Sequence, residues 1–109
     1  HEIIDALRPM PGDIVLNKTT MGAFASTSID AQLRSLGCRN VVVTGVSTNN
    51  CVGMTAMEAS DRQYGVVLVS DATGTCSDEM QHATEKTFRR LWGRVLDADA
   101  VLAEMRGAA

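Results

Sequence analysis

The chain has 109 residues, 45% of them hydrophobic and 21% charged, with a net charge of −3. This length accommodates one small globular domain, and no basic cluster exceeds the pair Arg89 and Arg90, which excludes an electrostatic footprint for nucleic acid or an anionic membrane. No apolar run approaches the ~20 residues of a membrane span, and three cysteines without metal-site spacing favour a reducing cytoplasm over a disulfide framework.

The predicted elements alternate strand and helix along the chain. Residues 2–7 read as the end of a helix, and residues 9–13 read as a turn because two prolines and a glycine stop regular structure. Residues 41–46 form the clearest strand, a β-branched run typical of a central parallel strand buried on both faces. In chain order, the predicted strands are 14–16, 41–46, 66–69 and 95–96, and the predicted helices are 28–36, 51–63, 77–91 and 100–106.

Local signals set the predicted helix ends. Capping boxes are expected at Thr27 with Asp30 and at Thr75 with Asp78, and Gly37 should close the first of these helices. Asp97 or Asp99 could cap the last helix. Asp71 follows a strand end, where it could cap a loop or orient an active-site group.

This β-α-β-α order predicts an α/β fold with a mostly parallel sheet, helices on both faces and right-handed crossovers. The strand at 14–16 would be an exposed apolar edge if nothing preceded it, and the chain starts at His1 rather than Met. We therefore expect an N-terminal part of the domain to be missing. The whole chain, residues 1–109, is interpreted as one incomplete domain.

Cys51 is the strongest candidate for chemistry. It comes where a buried strand ends, a polar turn follows and a helix begins, and ligands of open α/β sheets bind at this edge. A thiol at a helix N-terminus is favoured as the reactive thiolate, and nearby N–H groups can hold the oxyanion formed on attack at a carbonyl. The alternative is a small buried hydrophobic residue, which is the commoner state of a free cysteine.

Lys18 is the second candidate, because it is predicted just past the end of the 14–16 strand. If that strand neighbours 41–46, the ammonium lies at the same edge as Cys51 and would stabilise a thiolate. The alternative is a solvated surface lysine. His82 is interpreted as structural or exposed, Cys38 as packing, and Cys76 as a weak candidate for a second reactive thiol. No glycine-rich phosphate-binding motif occurs, so a nucleotide-binding protein is poorly supported.

Residues 41–52, with the sequence VVVTGVSTNNCV, closely resemble the nucleophile motif of the isochorismatase-like cysteine hydrolases. The resemblance runs from about residue 11 to 105. It includes Thr55, Ala56 and Ala59, the segments 64–66, 70–73 and 93–95, and an upstream lysine segment formed by Lys18 with residues 22–24, Thr27 and Leu33.

The resemblance implies a Rossmann-like three-layer α/β/α sandwich and a Cys-Lys-Asp triad, with Cys51 as nucleophile and Lys18 as the triad lysine. It implies a cis peptide at Val46–Ser47 and an oxyanion hole from the backbone N–H groups of Ser47 and Cys51. It places Phe24 and Asn50 at the substrate. The triad Asp of the family lies upstream of the lysine segment, and neither Asp5 nor Asp13 matches its context.

We therefore predict a cytoplasmic, cysteine-dependent amidohydrolase that cleaves the C–N bond of a small amide, carbamoyl or ureido compound through a thioester. We predict no cofactor and no metal among these residues, and a homo-oligomeric protein. The isolated chain is expected to be inactive, because the triad Asp is not in it. The alternative is a non-catalytic fragment or oligomerisation module that retains the fold.

Overall fold

Three parallel strands form the sheet within residues 2–107, the part of the chain that the computed structural model describes. Residues 1, 108 and 109, at the ends of the predicted domain 1–109, lie outside the described residues. The strand order is β1-β2-β3. The strands are β1 (Asn40–Val46), β2 (Gly65–Gly74) and β3 (Arg94–Leu96), and the helices are α1 (Ala23–Ser26), α2 (Ile29–Ser35), α3 (Gly53–Asp61), α4 (Asp78–Leu91) and α5 (Ala98–Gly107), preceded by a 3₁₀ turn at Asp5–Leu7.

Strand β2 divides the core into two layers, because alternate side chains of a strand point to opposite faces of the sheet. Val66 and Leu68 pack into the larger cluster, beneath α1, α2, α3 and α4, whereas Val67 and Val69 pack against α5. The structure therefore confirms an α/β fold with a parallel sheet covered by helices on both faces. The larger cluster comprises Phe24, Val43, Val52, Ala56, Ala59, Tyr64, Val66, Leu68 and Phe88.

Helix α3 approaches the sheet closely because the residues that it buries completely are small. Ala56 and Ala59 are fully buried. Short side chains at these two positions let the backbone of α3 lie against β1 and β2, and α3 is the helix that follows Cys51 in the chain.

Strand β1 lies at the edge of the described sheet, and the prediction that it is buried on both faces is wrong. Val43 is buried, but Val42 is 40% exposed and Val46 is 77% exposed. A β-branched run predicts a strand reliably, whereas burial depends on the neighbours on each side. Within residues 2–107, β1 has a partner strand on one side only.

The predicted strand at residues 14–16 is also wrong. This segment has no regular structure, and both Ile14 and Val15 are largely exposed. A three-residue apolar run becomes a strand only where a neighbouring strand accepts and donates its backbone hydrogen bonds. No described strand takes that place.

Both predicted capping boxes are replaced by other contacts. Ser77 caps α4, with its hydroxyl accepting the N–H of Met80, whereas Thr75 bonds elsewhere. At the start of α2 the Thr27 hydroxyl accepts the N–H of Ile29. Gly37 does close α2 in a left-handed conformation, as predicted.

Asp30 lies against the Tyr64 hydroxyl instead of capping α2, and Tyr64 donates to its carboxylate at 2.6 Å. This hydrogen bond is the main reason that the pKa of Asp30 lies below its ordinary 3.8, and the Arg34 guanidinium adds to the shift. Burial raises the pKa of Tyr64 above 10.0, and its bond to Asp30 adds to that rise. The contacts among Asp30, Arg34 and Tyr64 connect α2 to the end of the loop that leads into β2.

At the other end of the sheet, Asp71 accepts the N–H of Ala98 and Asp97 accepts the N–H of Ala100. Both carboxylates therefore cap α5. Asp97 is one of the two residues predicted to cap this helix, and Asp71 has a capping role. None of the helices found between residues 2 and 107 is long and apolar enough to cross a membrane.

Candidate active site

Cys51 lies in a wide turn, Thr48–Val52, which joins the carboxyl end of β1 to the first residue of α3. The peptide bond between Val46 and Ser47 that precedes the turn is cis, at the position where the family resemblance implies one. The carbonyl of Ser47 accepts the N–H groups of Asn50 (3.0 Å) and Val52 (3.2 Å). This turn has the strand–turn–helix form expected of a nucleophile at the edge of a parallel sheet.

The residue before the cysteine breaks the helical path. Asn50 has φ −118° and ψ −111°, whereas the backbone on its helical side, at Val52, is regular αR. Asn50 is exposed and Cys51 is partly buried. The thiol therefore stands close to the N-terminus of α3, where the helix dipole favours a negative charge.

Side chains from the second half of the chain hold the Thr48–Val52 turn. The fully buried Thr48 donates from its hydroxyl to the Gln81 amide oxygen on α4. The Thr75 hydroxyl donates to the Asn49 amide oxygen at 2.6 Å. The sequence does not reveal either contact, because the paired residues lie 26 and 33 positions apart and no periodicity marks them.

Gly53 lets the start of α3 approach this turn closely. A Cβ at Gly53 would lie 2.6 Å from the carbonyl oxygen of Thr48, which is too close for any side chain. The turn is therefore fixed at Thr48 from two directions, by α4 through its side chain and by α3 through its carbonyl.

Lys18 lies on an exposed loop rather than directly after a strand, which corrects its predicted setting. Its ammonium donates to the carbonyl of Thr20 at 3.1 Å. Among residues 2–107, no hydrogen bond joins the lysine to the Cys51 thiol, and the lysine makes no ion pair. The structure therefore does not itself bring these two candidates into contact.

The Lys18 loop is nevertheless attached to the helix that follows the cysteine. The Ser26 hydroxyl accepts the N–H of Thr19 at 3.0 Å, which fastens the loop to α1. The N–H of Ala23, in turn, donates to the Thr55 hydroxyl of α3 at 3.0 Å. Lys18 and Cys51 thus stand on two loops that share α3 as their support.

The two residues predicted at the substrate have different settings. Asn50 is exposed beside Cys51, as a substrate contact requires. Phe24 is 8% exposed and its ring lies in the core near Tyr64, with the Arg62 guanidinium 4.9 Å from the ring centre. The contact between Phe24 and substrate stays a prediction.

The family model of the isochorismatase domain matches residues 1–100. The chain belongs to the isochorismatase family. Across its whole length it is 36% identical to a ureidoacrylate amidohydrolase of Rhizobium rhizogenes, of which it covers 45%. The chain spans less than half the length of the curated relatives it matches.

Solved structures of family members have the same fold. A cysteine hydrolase from Pseudomonas syringae pv. phaseolicola superposes with a TM-score of 0.95 at 25% identity, over 99% of this chain and 56% of the other. The N-carbamoylsarcosine amidase of Thermoplasma acidophilum superposes with a TM-score of 0.81 at 34% identity, over 90% of this chain and 56% of the other.

A cavity of about 280 Å³ opens beside the turn of this isochorismatase-family chain, between α3 and α4. It is lined by Asn49, Gly53, Met57, Ala83, Thr84, Thr87, Phe88 and Trp92. Most of this lining is apolar, and Cys51 is not part of it. Among residues 2–107, no three His, Cys, Asp or Glu side chains converge as a metal-ligand set.

Proposed function

We propose that the protein is a cysteine-dependent hydrolase that cleaves the C–N bond of a small amide, carbamoyl or ureido compound, with Cys51 as its nucleophile. The observation that carries this proposal is the turn at Thr48–Val52. It presents a partly buried thiol at the carboxyl end of a parallel strand and at the start of a helix.

In the first half of the reaction, the thiolate of Cys51 attacks the substrate carbonyl carbon and a C–S bond forms. The backbone N–H groups of Ser47 and Cys51 stabilise the negative charge that develops on the carbonyl oxygen. The C–N bond then breaks, and the leaving amine takes the proton that the thiol gave up. In the second half, water attacks the thioester carbonyl carbon, the C–S bond breaks, and the acyl group leaves as a carboxylic or carbamic acid while the thiol is restored.

Lys18 favours the thiolate by its positive charge, since a nearby cation stabilises an anion. Its loop must bring the ammonium toward Cys51, and the shared attachment of both loops to α3 supports that approach. By the family resemblance, an Asp carboxylate accepts the thiol proton. None of the acidic residues between 2 and 107 hydrogen-bonds the Cys51 thiol.

Two relatives favour a carbamoyl or ureido group over a plain carboxamide. They are named for action on ureidoacrylate and on N-carbamoylsarcosine. Asn50, exposed next to the nucleophile, offers both an amide donor and an amide acceptor to such a group.

The test is ammonia release by the complete gene product, measured against a panel of ureido, carbamoyl and carboxamide compounds. Cys51→Ser should lower kcat by at least about a thousandfold, because loss of a covalent nucleophile usually removes most of the catalysis. Cys38→Ser is the matched control, since Cys38 is partly buried like Cys51 but precedes β1, at the opposite end of that strand from Cys51, and it should keep near wild-type activity.

Mass spectrometry of the enzyme mixed rapidly with substrate should show an adduct on Cys51. Trypsin places Cys38, Cys51 and Cys76 on three separate peptides, so the modified cysteine is identified directly. Activity of Cys51→Ser within about tenfold of wild type would contradict the nucleophile assignment.

A further inference from the structure

Within residues 2–107, the Thr48 hydroxyl has a single partner and no access to water. Its residue is 0% exposed, and the hydroxyl donates to Oε1 of Gln81 on α4. Thr48 follows the cis-linked Ser47 directly and precedes Cys51 by three positions. A change in the partner of Thr48 therefore acts on the backbone that carries both the thiol and the oxyanion-hole N–H groups.

The surroundings of Gln81 fix the orientation of its amide. Nε2 lies 2.7 Å from Oε2 of Glu85 and 3.1 Å from Oγ1 of Thr73. The Thr73 hydroxyl already donates its proton to the carbonyl of Val69 at 2.8 Å, so it can only accept from Gln81. The carbonyl oxygen of Ser70, 3.4 Å from Nε2, is a third acceptor. All three groups facing Nε2 are acceptors, and the amide oxygen must therefore face Thr48.

The contact is thus a directed chain of hydrogen bonds. It runs from Thr48 to Gln81, from Gln81 to Thr73, and from Thr73 to the backbone of β2. Each member donates once along the chain, and Glu85 takes the remaining amide hydrogen. With the amide reversed, its oxygen would face the Glu85 carboxylate and the Thr73 hydroxyl oxygen, so these partners favour a single orientation of Gln81.

We propose that Gln81 is a positioning residue, whose amide holds Thr48 and thereby fixes the turn that presents Cys51 and the oxyanion-hole N–H groups. This inference rests on the proposed function of Cys51 and extends it to a residue on α4. Gln81 touches neither the thiol nor the reacting atoms, and within the Thr48–Val52 turn its side chain bonds only Thr48.

The first test uses variants of the complete gene product. Gln81→Met keeps the length of the side chain and removes the amide, and Thr48→Val keeps its shape and removes the hydroxyl. Each should lower kcat by about 10- to 100-fold with KM within about threefold, because displacement of a nucleophile by up to about 1 Å costs up to about a hundredfold. Thr48→Ser retains the hydroxyl and should keep kcat within about threefold of wild type.

The double variant Thr48→Val/Gln81→Met tests the pathway. If Gln81 acts through Thr48, the double variant should lose no more activity than the more impaired of the two single variants, because both remove the same contact. Losses that multiply would overturn the inference, and so would a loss that falls on KM alone.

The second test does not depend on turnover. Iodoacetamide alkylation of Cys51, read on its own tryptic peptide, should change in rate in Gln81→Met and Thr48→Val, and backbone hydrogen exchange in the Thr48–Val52 turn should become faster. Gln32→Met is the matched control, since among the described residues the Gln32 side chain bonds only the exposed Ser28 hydroxyl.

Equal behaviour of Gln81→Met and Gln32→Met in kcat, alkylation and exchange would overturn the inference. If Gln81→Met does not fold, the comparison of Thr48→Val with Thr48→Ser decides the question. Activity in Cys51→Ser would refute the proposed function, whereas loss in Cys51→Ser together with unchanged Gln81→Met would refute the positioning inference alone.

Discussion

Gly53→Ala perturbs the Cys51 turn from the side of α3. The new Cβ would lie 2.6 Å from the Thr48 carbonyl oxygen, and real Cβ contacts essentially never fall below 3.0 Å. The carbonyl must therefore retreat by about 0.4 Å or more. Cγ2 of Thr84 would lie 3.9 Å from the new methyl group, in ordinary van der Waals contact.

The expected effect on stability is the difference of two opposing contributions. Overpacking of a close contact costs about 1–3 kcal/mol. Replacement of glycine by alanine in a helix returns up to about 1 kcal/mol, because the unfolded chain loses freedom. The free energy of unfolding should therefore fall by about 1 kcal/mol, while kcat should fall by about tenfold or more, since the displaced carbonyl belongs to the turn that carries Cys51.

Urea unfolding and ammonia release, both on the complete gene product, measure these two effects. Gly107→Ala is the matched control: it also lies in a helix, and among the described residues no atom beyond its own helix backbone lies within 4 Å of the place its methyl group would take. It should be neutral or slightly stabilising. If Gly53→Ala matched Gly107→Ala in stability and retained wild-type kcat, the close packing of α3 against the turn would matter for neither stability nor catalysis, contrary to this prediction.

Two further predictions concern charge. Lys18→Ala should slow alkylation of Cys51 at neutral pH and move the profile of rate against pH to higher pH, because a cation favours the thiolate. Lys86→Ala, on the exposed face of α4, is the control. Identical profiles for Lys18→Ala and wild type would show that Lys18 does not affect the thiol. Because the folded-state pKa of Asp30 is below 3.8, the stability it contributes is present above that pH and is lost as pH falls through the folded-state value. Tyr64→Phe removes the main cause of the shift, so the difference in unfolding free energy between wild type and Tyr64→Phe should shrink as pH falls from about 6 to about 2, and parallel curves would contradict this account.

The strands show what a sequence can reveal about this fold. Runs of β-branched residues located β1 and β2, because these residues prefer extended backbone and packed sheet surfaces. The apolar pair Val95 and Leu96 located β3. The same pattern misplaced residues 14–16, since a run of three cannot show whether a partner strand exists. It also misjudged the burial of β1, which depends on what lies beside the strand and not on the strand itself.

The candidate site also contains one residue that the sequence reveals and others that it does not. Cys51 could be found because strand, polar turn and helix follow one another in the sequence, so the geometry is local. Gln81 could not be found, because a glutamine on a helix reads as a surface residue until the structure places it beside the buried Thr48. Thr75 was interpreted as a helix cap on local spacing, yet its hydroxyl bonds Asn49, 26 positions earlier in the chain.

The link from Thr48 to Gln81 also has a consequence in time. During synthesis the ribosome releases Cys51 before α4 exists, so the nascent turn lacks the amide that holds Thr48 in the finished protein. A thiol presented in an unfixed turn has no preorganised N–H groups beside it and is a poor catalyst. Under the proposed function, the turn that presents Cys51 is therefore complete only when α4 has docked against it.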